Sequence, residues 1–212
     1  MKRSLFFCTA FVLPVLLLQA QEQKNIVLPK PQTDGGKPLM QALKERSSGR
    51  EFSTRELPPQ VLSNLLWAAC GINRPDGKRT APSASNRQEI DVYVAMASGL
   101  YLYSPKEHQL QPVMPDDIRA ATGRQGFAKS VPVNLVYVAD FARMGGSPEP
   151  DKVFYSAANT GFISQNVYLF CASEGLATVV RGLVDRTALA KIMKLRPEQR
   201  VILAQSIGYP AK

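Results

Sequence analysis

Apolar positions recur along the chain at two periods. Ile90, Val92, Val94 and Met96 alternate with Asp91, Tyr93 and Ala95, which predicts a strand. Leu62, Leu65, Leu66 and Ala69 fall on one face of a helix predicted over 57–72, with Pro58 and Pro59 at its start and Gly71 at its stop. Leu39, Met40, Ala42 and Leu43 predict a shorter helix running into Arg46. Residues 99–103 continue extended, 104–109 turn and 110–113 return, which reads as a hairpin. The pattern further predicts helices over 115–121, 153–173 and 188–195, the second of them buried, and strands over 133–139 and 201–207. Between 23 and 38 the residues Pro29, Pro31, Pro38, Gly35 and Gly36 deny helix and favour an extended arm. Strands and helices do not alternate as a doubly wound parallel sheet requires, and no GxGxxG follows the first strand, so the expected class is α+β.

The first twenty residues belong to a different pattern. Lys2 and Arg3 precede an apolar run from Leu5 to Leu18, and Gln19, Gln21, Glu22 and Gln23 follow, the layout of a secretory signal cleaved after Ala20. The run is short for a bilayer and holds Pro14, and Cys8 lies inside it rather than just after it, so neither a stable membrane anchor nor lipid attachment is expected. The expected organisation is a signal segment over 1–20, an arm over 21–38 and one domain over 39–212, exported to a compartment such as the periplasm.

The formal charge of +9 falls by two when Lys2 and Arg3 leave, and the remaining excess is scattered rather than packed into a block. That suits small anionic ligands; the aromatic and basic signature of an RNA-binding sheet is absent, and no nucleic-acid partner is expected. Cys70 and Cys171 read as small buried residues, although an oxidising compartment would allow them to pair if they were close. His108 is the only histidine, so catalytic triads, Cys-His pairs and multi-histidine metal sites lack a second supporting residue.

Two short stretches carry candidate chemistry. In Arg46-Ser47-Ser48-Gly49-Arg50-Glu51-Phe52, two guanidiniums flank two hydroxyls and a glycine at a helix end. Guanidinium forks match phosphate oxygens with paired hydrogen bonds, and serine hydroxyls fill remaining acceptors. A solvated helix end has the same composition, so this window alone decides little. The second stretch, Arg79-Thr80-Ala81-Pro82-Ser83-Ala84-Ser85-Asn86-Arg87-Gln88, is a loop of small hydroxyl and amide residues directly before a strand.

With both stretches the sequence resembles the FMN-dependent nitroreductase family, whose R-x-S-x-[KR]-x-F element matches Arg46, Ser48, Arg50 and Phe52, and whose P-S-x-x-N-x-Q element matches Pro82, Ser83, Asn86 and Gln88. Gly161, Gln165, Asn166, Leu169 and Ala172 leading to Gly175-Leu176 and Arg181-Gly182 look like its central helix and flavin-ring loop, and Gly208-Tyr209-Pro210 like the end of its last strand. The resemblance runs from about Leu39 to the C-terminus in the right order.

It implies a mostly antiparallel central sheet flanked by helices, a homodimer, and FMN at the dimer interface. Arg46, Ser47, Ser48 and Arg50 would hold the phosphate, while Pro82, Ser83, Ala84 and Asn86 approach the flavin from the second subunit. Backbone around Arg181 and Gly182 would face the ring, with the Arg181 charge favouring added electrons. Gln125 would contact the ring or the ribityl chain, and Lys212 would add a charge at the phosphate. Finer features resemble the branch that includes azoline oxidases, yet the adjacent Lys-Tyr pair of those enzymes is missing here. The expected reaction carries hydride through the flavin from a donor such as NAD(P)H to a small organic acceptor. A dehydrogenase acting directly on its substrate and a non-catalytic flavin-binding module remain open alternatives.

Overall fold

The computed structural model describes residues 23–211, so the expected signal segment and Lys212 lie outside the described residues. Seven strands form one sheet in the order β1-β4-β3-β2-β5-β7-β6, and every pairing is antiparallel. The strands are β1 (Ile26–Val27), β2 (Ile90–Met96), β3 (Gly99–Ser104), β4 (Gln109–Met114), β5 (Val133–Asp140), β6 (Ala177–Arg181) and β7 (Gln199–Gly208). Four helices accompany them: α1 (Leu39–Glu45), α2 (Pro59–Cys70), α3 (Glu149–Glu174) and α4 (Arg186–Ile192). The expected α+β class, the antiparallel sheet and the hairpin over β3 and β4 are all present.

Both faces of the sheet are covered, which is why β5 is buried along its whole length. On one face, Leu62, Leu65, Leu66 and Ala69 of α2 and Ile163, Val167 and Cys171 of α3 pack on Val92, Val94, Leu135, Tyr137 and Ile207. On the other, Leu189 of α4 with Ile118, Val184 and Met193 pack on Tyr93, Ala95, Val136, Val138 and Ala204. The alternation in β2 therefore separates two apolar faces, and only Asp91 interrupts the second with a charge. Across β5, β7 and β6 the first face carries a buried polar chain. The Tyr137 hydroxyl donates to Gln205 Oε1 at 2.6 Å, and Gln205 Nε2 donates to Thr178 Oγ1 at 3.0 Å.

Two expectations need correction. No helix spans 115–121; a bend there leads into a 3-10 turn at Arg119–Thr122. Asp117 takes the backbone N–H of Arg119 at 3.1 Å and its side chain at 2.9 and 2.8 Å, local bonds that compete with helical ones. The long helix does form, but it is buried on one side only: Phe154, Tyr155 and Phe162 stand exposed. It starts with Pro150 in the first turn and Glu149 and Asp151 near the positive helix end. It stops at Gly175, whose φ of 68° is the left-handed conformation glycine adopts without strain.

Over 23–38 the chain forms β1 and otherwise irregular structure, and it is fastened at several points. β1 pairs with β4, and Leu28 enters the core. His108 Nε2 lies 2.7 Å from Ser63 Oγ and 3.1 Å from the Pro29 carbonyl, and Nδ1 lies 2.9 Å from the Tyr103 hydroxyl. The only histidine is thus a clasp for the arm. Cys70 and Cys171 are free and buried in the same core cluster. Burial pushes the Cys70 thiol up to about 12 and raises that of Cys171 as well, which leaves both unreactive.

Candidate functional site

Segment 46–52 leaves α1 in an extended conformation and lies against the end of the sheet. Gly49 donates its N–H to the Thr178 carbonyl of β6 at 3.0 Å, Phe52 bridges to Pro210, and Ser53 N–H reaches the Tyr209 carbonyl at 2.8 Å. Gly49 permits this approach, because a Cβ there would lie 3.1 Å from the Cβ of Ala177. Tyr168 of α3 organises the segment. Its hydroxyl sits 3.0 Å from Ser48 Oγ, accepts the Val180 N–H at 2.9 Å, and its ring lies under the Arg46 guanidinium at 5.4 Å.

Arg46 is half-buried and Arg50 exposed, and neither pairs with a carboxylate among the described residues. Positive potential here comes from these side chains, since the segment follows the C-terminus of α1, the negative end of a helix. A hollow of about 450 Å³ beside them is lined by Ser47, Gly49, Arg50, Glu51, Gly175 and Pro210, among others.

Arg181, at the far end of β6, points inward from the second face and is 2 % exposed. It donates to the Thr122 carbonyl at 2.8 Å, to Thr122 Oγ1 at 3.0 Å and to Asn134 Oδ1 at 2.8 Å, all neutral acceptors. Burial pulls its pKa down to about 10. Gly123 is required beside it, because a Cβ at that position would land inside the guanidinium. Gln125 flanks the same glycine, and the Arg124 N–H ties this stretch to the Leu183 carbonyl at 3.2 Å. Arg181 Nε and Gln125 Oε1 are both buried without a hydrogen-bond partner among the described residues. Gly182 and Leu183 are exposed next to them.

The loop 82–88 is held elsewhere. It contains a 3-10 turn at Ala84–Asn86, and Ser85, Asn86 and Gln88 all have φ near 50°, a conformation non-glycine residues rarely take. Ser83 Oγ accepts the Gln88 N–H at 2.9 Å, and the Ala84 N–H reaches Asn159 Oδ1 of α3 at 3.3 Å. Asn159 and Tyr168 lie nine residues apart on α3, roughly 13 Å along the axis. Within one subunit 46–52 lies against the start of β6, Arg181 stands at the other end of that strand beside Gly123 and Gln125, and the loop holding Pro82, Ser83, Ala84 and Asn86 is anchored on Asn159 of α3.

Residues 43–209 match the nitroreductase family. The chain belongs to that family. A solved nitroreductase-family structure from Ralstonia eutropha JMP134 is 45% identical, covers 90% of this chain and 91% of its own, and superposes with a TM-score of 0.86. A nitroreductase-family protein of Methanocaldococcus jannaschii is 28% identical over 168 residues, 74% of this chain and 85% of the relative. A structure from Desulfovibrio desulfuricans, solved in complex with FMN, shares the fold with a TM-score of 0.61 at 22% identity, covering 84% of this chain and 89% of that one. The protein is thus an oxidoreductase of the nitroreductase family.

Several residues that organise the site of this nitroreductase-family chain escape sequence reasoning. Tyr168, Asn159 and Thr122 had no local signal, since their roles arise from packing between distant elements. Gly123 offered a faint one, as a glycine two residues before Gln125.

Proposed function

We propose that the protein is a homodimeric FMN oxidoreductase that takes electrons from a donor such as NAD(P)H and passes them to a small organic acceptor, a nitroaromatic or quinone-like compound. One observation carries this reading: stretches about 130 residues apart meet along β6 and leave Arg46 and Arg50 without carboxylate partners among the described residues. Arg46, Ser47, Ser48 and Arg50 would hold the phosphate with charge-assisted bonds, joined by Lys212. The unpartnered Arg181 Nε and Gln125 Oε1 fit a ring edge that carries both acceptors and donors, with Gly182 allowing close backbone approach. When bound, FMN supplies the two-electron chemistry. The side chains bind and orient it, and the buried Arg181 charge, balanced by no carboxylate among the described residues, favours added negative charge nearby.

The separate anchoring of loop 82–88 on Asn159 and of 46–52 on Tyr168 supports a site shared by two copies, in which Pro82, Ser83, Ala84 and Asn86 reach the flavin held by the other copy. The exposed Phe154 and Phe162 on α3, with Gly161 between them opening onto empty space, suit a helix-to-helix dimer contact. The run from Leu5 to Leu18 supports export, where nicotinamide donors are scarce, so the donor is tested directly. Azoline oxidation is outside this proposal, because no Lys-Tyr dipeptide occurs.

The absorption spectrum of the purified protein tests the cofactor, with flavin bands expected. Anaerobic mixing of the yellow protein with NADPH tests the donor. Rapid bleaching is the expected result; a spectrum that stays oxidised with NADPH and NADH alike overturns the nicotinamide donor and favours a dehydrogenase acting on its own substrate.

A further inference from the structure

Glu89 is a buried carboxyl that the proposed chemistry leaves unused. It follows the loop 82–88 directly, has no exposed surface, and forms no ion pair among the described residues. Its Oε1 accepts from Asn159 Nδ2 at 2.7 Å, and its Oε2 has no partner. Asn159 is itself 2 % exposed and turns its Oδ1 toward the Ala84 N–H. An asparagine amide presents a donor on one side and an acceptor on the other, and flipping it exchanges them. A carboxyl oxygen on the Nδ2 side fixes the orientation, so the acceptor faces Ala84. A flipped amide would set its NH2 against the backbone N–H and leave both unsatisfied.

We propose that Glu89 and Asn159 are positioning residues that hold the flavin-facing loop 82–88 in its left-handed conformation, through a relay from Glu89 to Asn159 to Ala84. The proposal rests on the flavin reading of that loop. Three of its residues, Ser85, Asn86 and Gln88, take left-handed backbone angles, which asparagine tolerates but serine and glutamine rarely adopt, so the loop relies on bonds to its surroundings. Inside the loop, Ser83 ties Asn86 through its carbonyl at 2.9 Å and Gln88 through its hydroxyl at 2.9 Å. Arg87 ties the far end of the loop to the Met144 carbonyl at 2.9 Å and Ser147 Oγ at 2.7 Å, Arg143 donates to the Gln88 carbonyl at 2.8 Å, and the Asn159 bond is the one that ties Ala84, at the start of the 3-10 turn, to α3. It leaves α3 from the buried side, three residues from the exposed Phe162, so the loop is set from the helix proposed to form the dimer contact.

The test compares Glu89→Ala, Glu89→Gln and Asn159→Ala with Val94→Ala, a core truncation away from the loop. Two readouts are used: amide hydrogen exchange at residues 84–88 in the flavin-free protein, and the FMN dissociation constant from fluorescence quenching. Glu89→Ala, which removes one bond of the relay, and Asn159→Ala, which removes both, are expected to speed loop exchange and weaken FMN binding by about tenfold or more. Glu89→Gln keeps an acceptor oxygen and is expected to restore both, while Val94→Ala lowers Tm and changes neither. Unchanged loop exchange in Asn159→Ala, or Glu89→Gln as damaging as Glu89→Ala, overturns the relay. If Glu89→Ala does not fold, Asn159→Ala decides alone. Wild-type protein that binds no FMN overturns the flavin reading, and the exchange arm still decides the relay.

Discussion

Arg181 shows how the site depends on single residues. A buried guanidinium satisfied only by neutral acceptors is costly, and Gly123 is what lets Thr122 and Asn134 close around it. Gly123→Ala forces the guanidinium out of this nest and is expected to destabilise the protein by about 1–3 kcal/mol, as overpacking does; urea unfolding checks it. Tyr168→Phe removes one hydroxyl that serves both Ser48 and Val180, and a loss of about 1 kcal/mol is expected from the same measurement. His108 gives a pH prediction. Burial holds its pKa below the ordinary value of 6.5, so the unfolded chain takes up the proton first as pH falls. The penalty is absent well above pH 6.5 and grows as pH drops through 6.5 toward the lower folded value. Between roughly pH 7.5 and 5.5 the wild-type Tm should fall further than that of His108→Gln, whose carboxylates are the same.

At the scale of elements, Lys194, two residues past the end of α4, has a φ of 52°, and Leu195 N–H returns to the Ala190 carbonyl at 3.0 Å. Lys194→Gly relieves that left-handed residue and is expected to stabilise the protein by about 1 kcal/mol, read as a rise in Tm. What the sequence made legible follows from the same local physics. β2, α2 and the β3-β4 hairpin were readable because periodicity and turn residues agree there. The helix expected over 115–121 fails because Asp117 claims the backbone N–H and side chain of Arg119. β6 was hidden: Ala177–Arg181 carries Thr178 toward one covered face and Arg181 toward the other, so no alternation marks it. The stretches 46–52 and 82–88 could be read as motifs. Their partners Tyr168 and Asn159 could not, because both look like ordinary positions on a long helix.

At the scale of the molecule, the proposed flavin site needs two copies. One chain assembles the β6 edge and displays loop 82–88 elsewhere, and the exposed Phe154 and Phe162 lie on the helix that connects the two regions. Changing both to Glu is expected to give a monomer by light scattering and to weaken FMN binding in parallel, since each site would lose the loop of the other copy. A dimer of unchanged mass would remove α3 from the interface. The central claim, that 46–52 grips a flavin phosphate, is tested most directly by purifying Arg46→Ala/Arg50→Ala and measuring its flavin content beside the wild type. Each guanidinium removed takes away a charge-assisted bond of about 1.5–3 kcal/mol, so the double variant should emerge folded and colourless, with FMN bound at least about 100-fold more weakly. A folded double variant that stayed yellow at full occupancy would contradict the claim.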